Sequence, residues 1–466
     1  MLIAGCTVAL SLLQPSALRA QKTNEPAGQT GPSGLPQNAR DFKFTKVDLD
    51  LLRQVNAFDK YIEERGWVYS EPQINQYLEK IGLTLVPQQT PENVRWRFRA
   101  IRDLEANAFA LPNGSVYVNS GLLSRIENEA QLAGVMAHEI THVVHRHAYL
   151  EYRSSRKKMV AIDLILTAAS AAYYTGAGPL VAQAMANLLP VIVSATVFGY
   201  SRELEHEADI CGVEALQQHG YDLREFSRGF ELLRKGPEVD LSRAPVFWSS
   251  HPKLTDRVGY VTTMAEQLQP SSAGLLVNRS PYFIASADVM RDNAAQAMLL
   301  GRPRTAVAIA LRLTAEDPNN AENYVLLGDA YRSLGARTPL PEAAELTDEA
   351  KEQARLRMRK MTLAEYDKAL LEDERGPERW EVNRNRSQKS FRKALEMDPH
   401  NASAHRGLGY LFERSQALQE SMSQFREYLE LAPQARDARQ IKLHLESLEH
   451  PSSGLKPQAQ KTTRAQ

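Results

Sequence analysis

Residues 138–142 read His-Glu-Ile-Thr-His, and this pentad constrains the chain more than any other segment. On a helix, positions i and i+4 share a face, so His138 and His142 project together while Glu139 stands about 100° round the axis. Two imidazoles so placed can hold one zinc ion, and the glutamate between them can reach a water there without being a ligand. Zinc lowers the pKa of that water, Glu139 takes its proton, the hydroxide attacks a polarised carbonyl, and the proton then passes to the leaving amine. With eleven histidines, chance produces such a pentad in roughly one chain per hundred of this composition. Here four histidines fall between 138 and 147, and the apolar spacing predicts a helix over 131–150.

A zinc site of this kind needs a third protein ligand and an open fourth position. A third histidine six residues after the second would define one class, but that position is Ala148, with His145 only three residues on. The remaining source is a carboxylate from a second helix, expected over 201–219 and stopped by Gly220. Its sequence, Ser201-Arg-Glu203-Leu-Glu205-His-Glu207-Ala-Asp209, offers three candidates. Glu205 has Asp209 one turn on, able to accept a hydrogen bond from a ligand imidazole, but Glu203 has Glu207 in the same relation. Spacing leaves the choice open. His145 reads as solvated or supporting, His147 as a support of the helix, His206 as pointing elsewhere, and Cys211 as core.

The rest of the chain sets the context. Lys+Arg 56 balances Asp+Glu 56, so nothing in the overall charge attracts nucleic acid. Two cysteines among 466 residues exclude a disulfide scaffold or a Cys-rich zinc module. Residues 1–20 carry an apolar run of signal-peptide length, with Ala20-Gln21 as cleavage point, although no basic residue precedes it. Leu-Ile-Ala-Gly-Cys6 has the order of a lipoprotein box, but its apolar stretch follows the cysteine. Residues 21–45 read as a flexible linker and 451–466 as a disordered tail. A small antiparallel sheet is expected from 95–101 (RWRFRAI) and Ser115–Asn119 (SVYVN), with Pro112-Asn113-Gly114 as turn chemistry between them. Residues 164–201 hold no charged side chain. They read as two buried or lid-forming helices, with peripheral membrane contact as the other possibility.

Beyond a linker at 266–284 the character becomes that of a helical repeat. Glu396-Met-Asp398-Pro399 and Glu430-Leu-Ala432-Pro433 stand 34 residues apart, the tetratricopeptide period. Small residues at Ala404, Gly407 and Gly409 fall where paired helices approach, and 306–331 resembles an earlier unit. A charged insertion at 336–386 interrupts the period. The domains expected are thus a zinc-binding domain at 46–265 and a repeat domain at 285–450. The fold class is mainly α (α+β): a helical domain with a small sheet, followed by a tetratricopeptide α-solenoid.

The two zinc-helix segments together resemble the HtpX and CAAX-prenyl-protease family of zinc metallopeptidases. Asn107-Ala-Phe-Ala110-Leu-Pro-Asn-Gly114, Gly121-Leu-Leu123 and Ser250-His251-Pro252 with Arg257 resemble further family segments, and the repeats point to the periplasmic BepA-like branch. Asn113-Gly114 stands where that family commonly has Gly-Gly. The resemblance implies one Zn2+ per chain held by His138, His142 and Glu205, with Glu139 as general base. It implies that Asp209 and Arg257 support the ligands and that His251 either latches the open zinc position or assists catalysis. Ser115, Val116, Tyr117, Val118 and Asn119 would be the edge strand that pairs with extended substrate. The implied function is a periplasmic endopeptidase acting on misfolded or stalled envelope proteins, its repeats docking substrate or an outer-membrane assembly machine. A latched, mainly chaperone-like assembly factor is the alternative.

Overall fold

The computed structural model describes residues 37–91, 93–153, 200–234, 254–269, 271, 273–337 and 379–450. The expected signal peptide, most of the first linker, the charge-free stretch through residue 199, His251, most of the charged insertion and the tail lie outside the described residues. After a single turn, α1 (Gln37–Arg40), comes the long helix α2 (Lys46–Glu64). Thr45 caps α2, its side chain accepting from the Asp48 backbone while Asp48 accepts from the Thr45 backbone. Leu51, Val55, Phe58 and Ile62 recur at helical spacing and form the buried face. Helix α3 (Pro72–Leu85) begins with Pro72, where a missing N–H costs nothing.

The sheet differs from the expected one. Strands β1 (Arg97–Ile101), β2 (Ala108–Ala110) and β3 (Ser115–Asn119) stand in the order β1-β3-β2. β1 runs parallel to β3, and only β2 is antiparallel to it. The Pro112-Asn113-Gly114 turn closes the short β2–β3 hairpin rather than joining 95–101 to β3. β2 is three residues of Ala-Phe-Ala, too short for alternation to reveal. Ser115–Asn119, expected as the edge strand, is instead the central one, paired on both sides and buried throughout.

Short α4 (Ser120–Leu123) leads to α5 (Glu129–Val144), which carries the histidines. Gly121 has to be glycine, since a Cβ there would lie 2.2 Å from the Leu104 carbonyl oxygen. α6 (Arg202–Gln218), α7 (Arg224–Arg234) and α8 (Leu254–Leu268) complete the layer packed on α5. Among the described residues of the expected linker 266–284, 269, 271 and 273–278 lie outside helices, and α8 and α9 (Arg279–Leu299) take up the rest. α9 is fastened to the first half: the Tyr282 hydroxyl donates to the Leu123 carbonyl (2.6 Å), and Asn293 bonds Ser124 (3.0 Å) and Ser120 (2.8 Å). One apolar core therefore continues from Tyr69 through α5 into α9, α10 (Pro303–Glu316) and α11 (Ala321–Arg337).

Among the described residues four more helices follow: α12 (Arg379–Met397), α13 (Ala402–Arg414), α14 (Leu418–Leu431) and α15 (Ala438–Glu449). α12 packs on α11 although the expected insertion separates them in sequence. Phe391 is the wedge, its ring filling the space in front of both Gly328 and Gly407.

Candidate metal centre

Every residue of α5 from Glu129 to Val144 is buried. Asn128 caps it by accepting from the Gln131 N–H, and Gly134 admits the Phe226 ring of α7 against its backbone. Its first turn is pinned by Glu129, which accepts from Tyr77 (2.5 Å), Tyr221 (3.0 Å) and Asn278 (2.7 Å). His138, Glu139 and His142 are each 2% exposed.

α6 lies across α5 and brings Glu205 to the two histidines. His138 Nε2 and His142 Nε2 stand 2.9 Å apart, and each is 3.6 Å from one Glu205 carboxylate oxygen. Ligands at zinc bond lengths in a tetrahedral array stand about 3.3 Å from one another. The observed spacings bracket that value, so the donor set fits zinc. Glu203 is exposed and Glu207 turns to His145, which removes the ambiguity that spacing had left.

The other ring nitrogens have partners. His138 Nδ1 lies 2.9 Å from Asp209 Oδ1, which holds the proton there and leaves the Nε2 lone pair toward Glu205 and His142. Arg257, from α8, reaches this layer with its whole fork: Nε and Nη2 donate to Asp209 (2.8 and 2.7 Å), and Nη1 lies 2.7 Å from Glu205. Its guanidinium lies over the Phe230 ring at 4.5 Å, and Tyr260 donates to Asp209. Burial opposes ionisation of Asp209, yet the charge of Arg257 and the bond from His138 hold its carboxyl well below the usual range. Burial, then Arg257, push His138 down, which favours a neutral imidazole.

Tyr200 stacks on His142, ring centroids 3.9 Å apart. Neither Tyr200 nor Tyr260 stood out in the sequence, although Tyr260 is three residues from Arg257 and so shares its helix face. His145 and His147 are both buried rather than solvated. His206 is exposed with its ring against Tyr260. Cys211 is half-buried, and burial pushes its thiol up to about 12.

A helical domain in which one buried helix presents His138, Glu139 and His142 and a second crosses it with Glu205 has the architecture of a metallopeptidase. Residues 72–265 match the family model described as Peptidase family M48. It is 29% identical over 232 residues to the beta-barrel assembly-enhancing protease of Escherichia coli (strain K12), covering 48% of this chain and 46% of that protein. The mitochondrial metalloendopeptidase OMA1 of Schizosaccharomyces pombe is 26% identical over 223 residues, 47% of this chain and 62% of its own. Metalloprotease YcaL of Escherichia coli (strain K12) is 28% identical over 172 residues, 37% of this chain and 61% of its own. The match thus spans about half the length of the assembly-enhancing relative.

Proposed function

We propose that this chain is a zinc-dependent endopeptidase in which His138, His142 and Glu205 hold the metal. The observation that carries the reading is the convergence of these three buried side chains, their ligand atoms within 4.8 Å of one another. Zinc bound there would supply Lewis acidity, bringing a water's pKa toward neutrality and polarising the scissile carbonyl. Glu139, buried beside the ligands, is the base that takes the water's proton and returns it to the leaving amine. Asp209 fixes the proton on His138 Nδ1, and Arg257 holds Asp209 and Glu205 in place. With β3 enclosed, the strand suited to pairing with extended substrate is β2, which lies against α5 and has an outer edge unpaired among the described residues. Backbone pairing suits unfolded chains because it does not read side chains.

The name of one relative, the beta-barrel assembly-enhancing protease, supports a role in β-barrel protein assembly. In this reading the chain acts on cell-envelope proteins in the periplasm, with the helices from α9 onward docking substrate or an outer-membrane assembly machine. In the same reading those helices are tetratricopeptide units. No helix among the described residues is long and apolar enough to cross a membrane. The test is degradation of casein by the chain from Gln21, beside Glu139→Gln. Cleavage by the first and none by the second is expected. Equal cleavage by both, or zinc-loaded protein that cuts nothing even with His251 replaced by Ala, would overturn the reading.

A further inference from the structure

Beside the candidate zinc ligands lies another dense group of titratable side chains: His145, His147 and Glu207. Their donor atoms lie within 4.8 Å of one another, a spacing that could suggest a second metal. The positions of the protons decide otherwise. His142 and His147 face each other through their Nδ1 atoms at 2.8 Å, so a single proton lies between them. If His142 gives its Nε2 lone pair to zinc, its neutral ring carries the proton on Nδ1, and His147 Nδ1 accepts it. The neutral His147 then bears its own proton on Nε2, where a second metal would need a lone pair. That nitrogen is fully buried, has no hydrogen-bond partner among the described residues, and lies 3.6 Å from Glu207 Oε2. Glu207 takes the His145 Nδ1 proton on its other oxygen at 2.6 Å.

The backbone builds this contact. On an unbroken helix, His147 would lie about 140° round from His142. α5 instead ends at Val144 with His145 as its cap, Arg146 takes φ 60°, and helix resumes at His147. That left-handed step turns the His147 ring back onto His142.

We propose that His147, backed by Glu207 and His145, is a positioning residue that fixes the tautomer of the zinc ligand His142, as Asp209 does for His138, and that this cluster holds no metal of its own. The inference rests on zinc binding by His138, His142 and Glu205. The two ligand histidines are then held by unlike partners, one by a carboxylate and one by a neutral imidazole.

The test is zinc stoichiometry by elemental analysis and zinc affinity by competition with a chromophoric chelator, on the chain from Gln21. One zinc per chain is expected. His147→Leu removes the acceptor at similar volume and should weaken affinity about 10- to 100-fold. His147→Asn puts Oδ1 where Nδ1 was and should restore affinity to within about threefold of the parent. Glu207→Gln, at a half-exposed site that does not threaten folding, presents an amide N–H to His147, favours the wrong tautomer, and should weaken zinc about three- to tenfold. Thermal melts of the zinc-free proteins separate lost packing from lost affinity. Equal weakening by Leu and Asn, or unchanged affinity in His147→Leu and Glu207→Gln, overturns the proposal alone. Two zinc ions per chain, one lost in Glu207→Gln, overturns it in favour of a second metal site. A parent chain that binds no zinc overturns it together with the proposed function.

Discussion

Replacing Arg257 by Met tests whether the layer behind the ligands is held by charge or merely by packing. Met keeps much of the volume and can still lie on Phe230, but it leaves Asp209 and Glu205 buried without their cation. Breaking a buried ion pair from one side costs about 3–5 kcal/mol. Asp209 keeps the Tyr260 hydroxyl and His138, so the loss should lie near the lower end, about 3 kcal/mol. For a domain of this size each kcal/mol moves the melting temperature by about 2–4 °C, so a fall on the order of 10 °C is expected. The measurement is thermal unfolding followed by circular dichroism, with and without a chelator. The fall should be larger without zinc, because bound zinc gives Glu205 a second positive partner. Arg257→Lys should fall between, since an ammonium cannot make the bidentate contact with Asp209. A zinc-free Arg257→Met protein melting within about 2 °C of the parent would refute the electrostatic argument.

Other expectations follow from the same geometry. Glu205→Ala should abolish stoichiometric zinc binding while Glu203→Ala, an exposed change, keeps it, as elemental analysis would show. Asp209 has a folded pKa below its ordinary 3.8, so the stability it contributes is fully present above that value and lost as pH falls through the depressed one. Urea unfolding of the zinc-free parent and Asp209→Asn should therefore differ by a constant amount from pH 7 to 5, and the gap should narrow below about pH 4. With its thiol pushed up from 9.0 to about 12, Cys211 should alkylate at pH 8 on the order of 1000-fold slower than in the urea-unfolded chain. Gly121→Ala should destabilise by about 3 kcal/mol, because the atom it meets is a backbone carbonyl with little room to move.

The ligand pair was legible because a four-residue spacing on a helix is a local property. The helices expected over 131–150 and 201–219 were legible for the same reason: apolar spacing and the stop at Gly220 are written in neighbouring residues. The choice of Glu205 over Glu203 was not, since it depends on the rotation of α6 against α5, and only the crossing decides which glutamate is buried. Arg257 could be noticed in sequence but not placed, because it meets His138 across 119 positions. The sheet order was hidden by β2, and the His142–His147 contact by the single left-handed residue at Arg146. These failures share a cause: periodicity describes one element at a time, and none of these features belongs to one element.

The fastening of α9 has a consequence for how such a chain could be taken apart. The M48 match ends at residue 265, yet the core does not end there. Excising the chain after α8 would strip the cover from Leu123, leave Ser120 and Ser124 without Asn293, and remove Asn278 from the glutamate that anchors the start of α5. The two halves are therefore not interchangeable cassettes. Any graft that keeps the site intact has to cut later, beyond the helices that share its core.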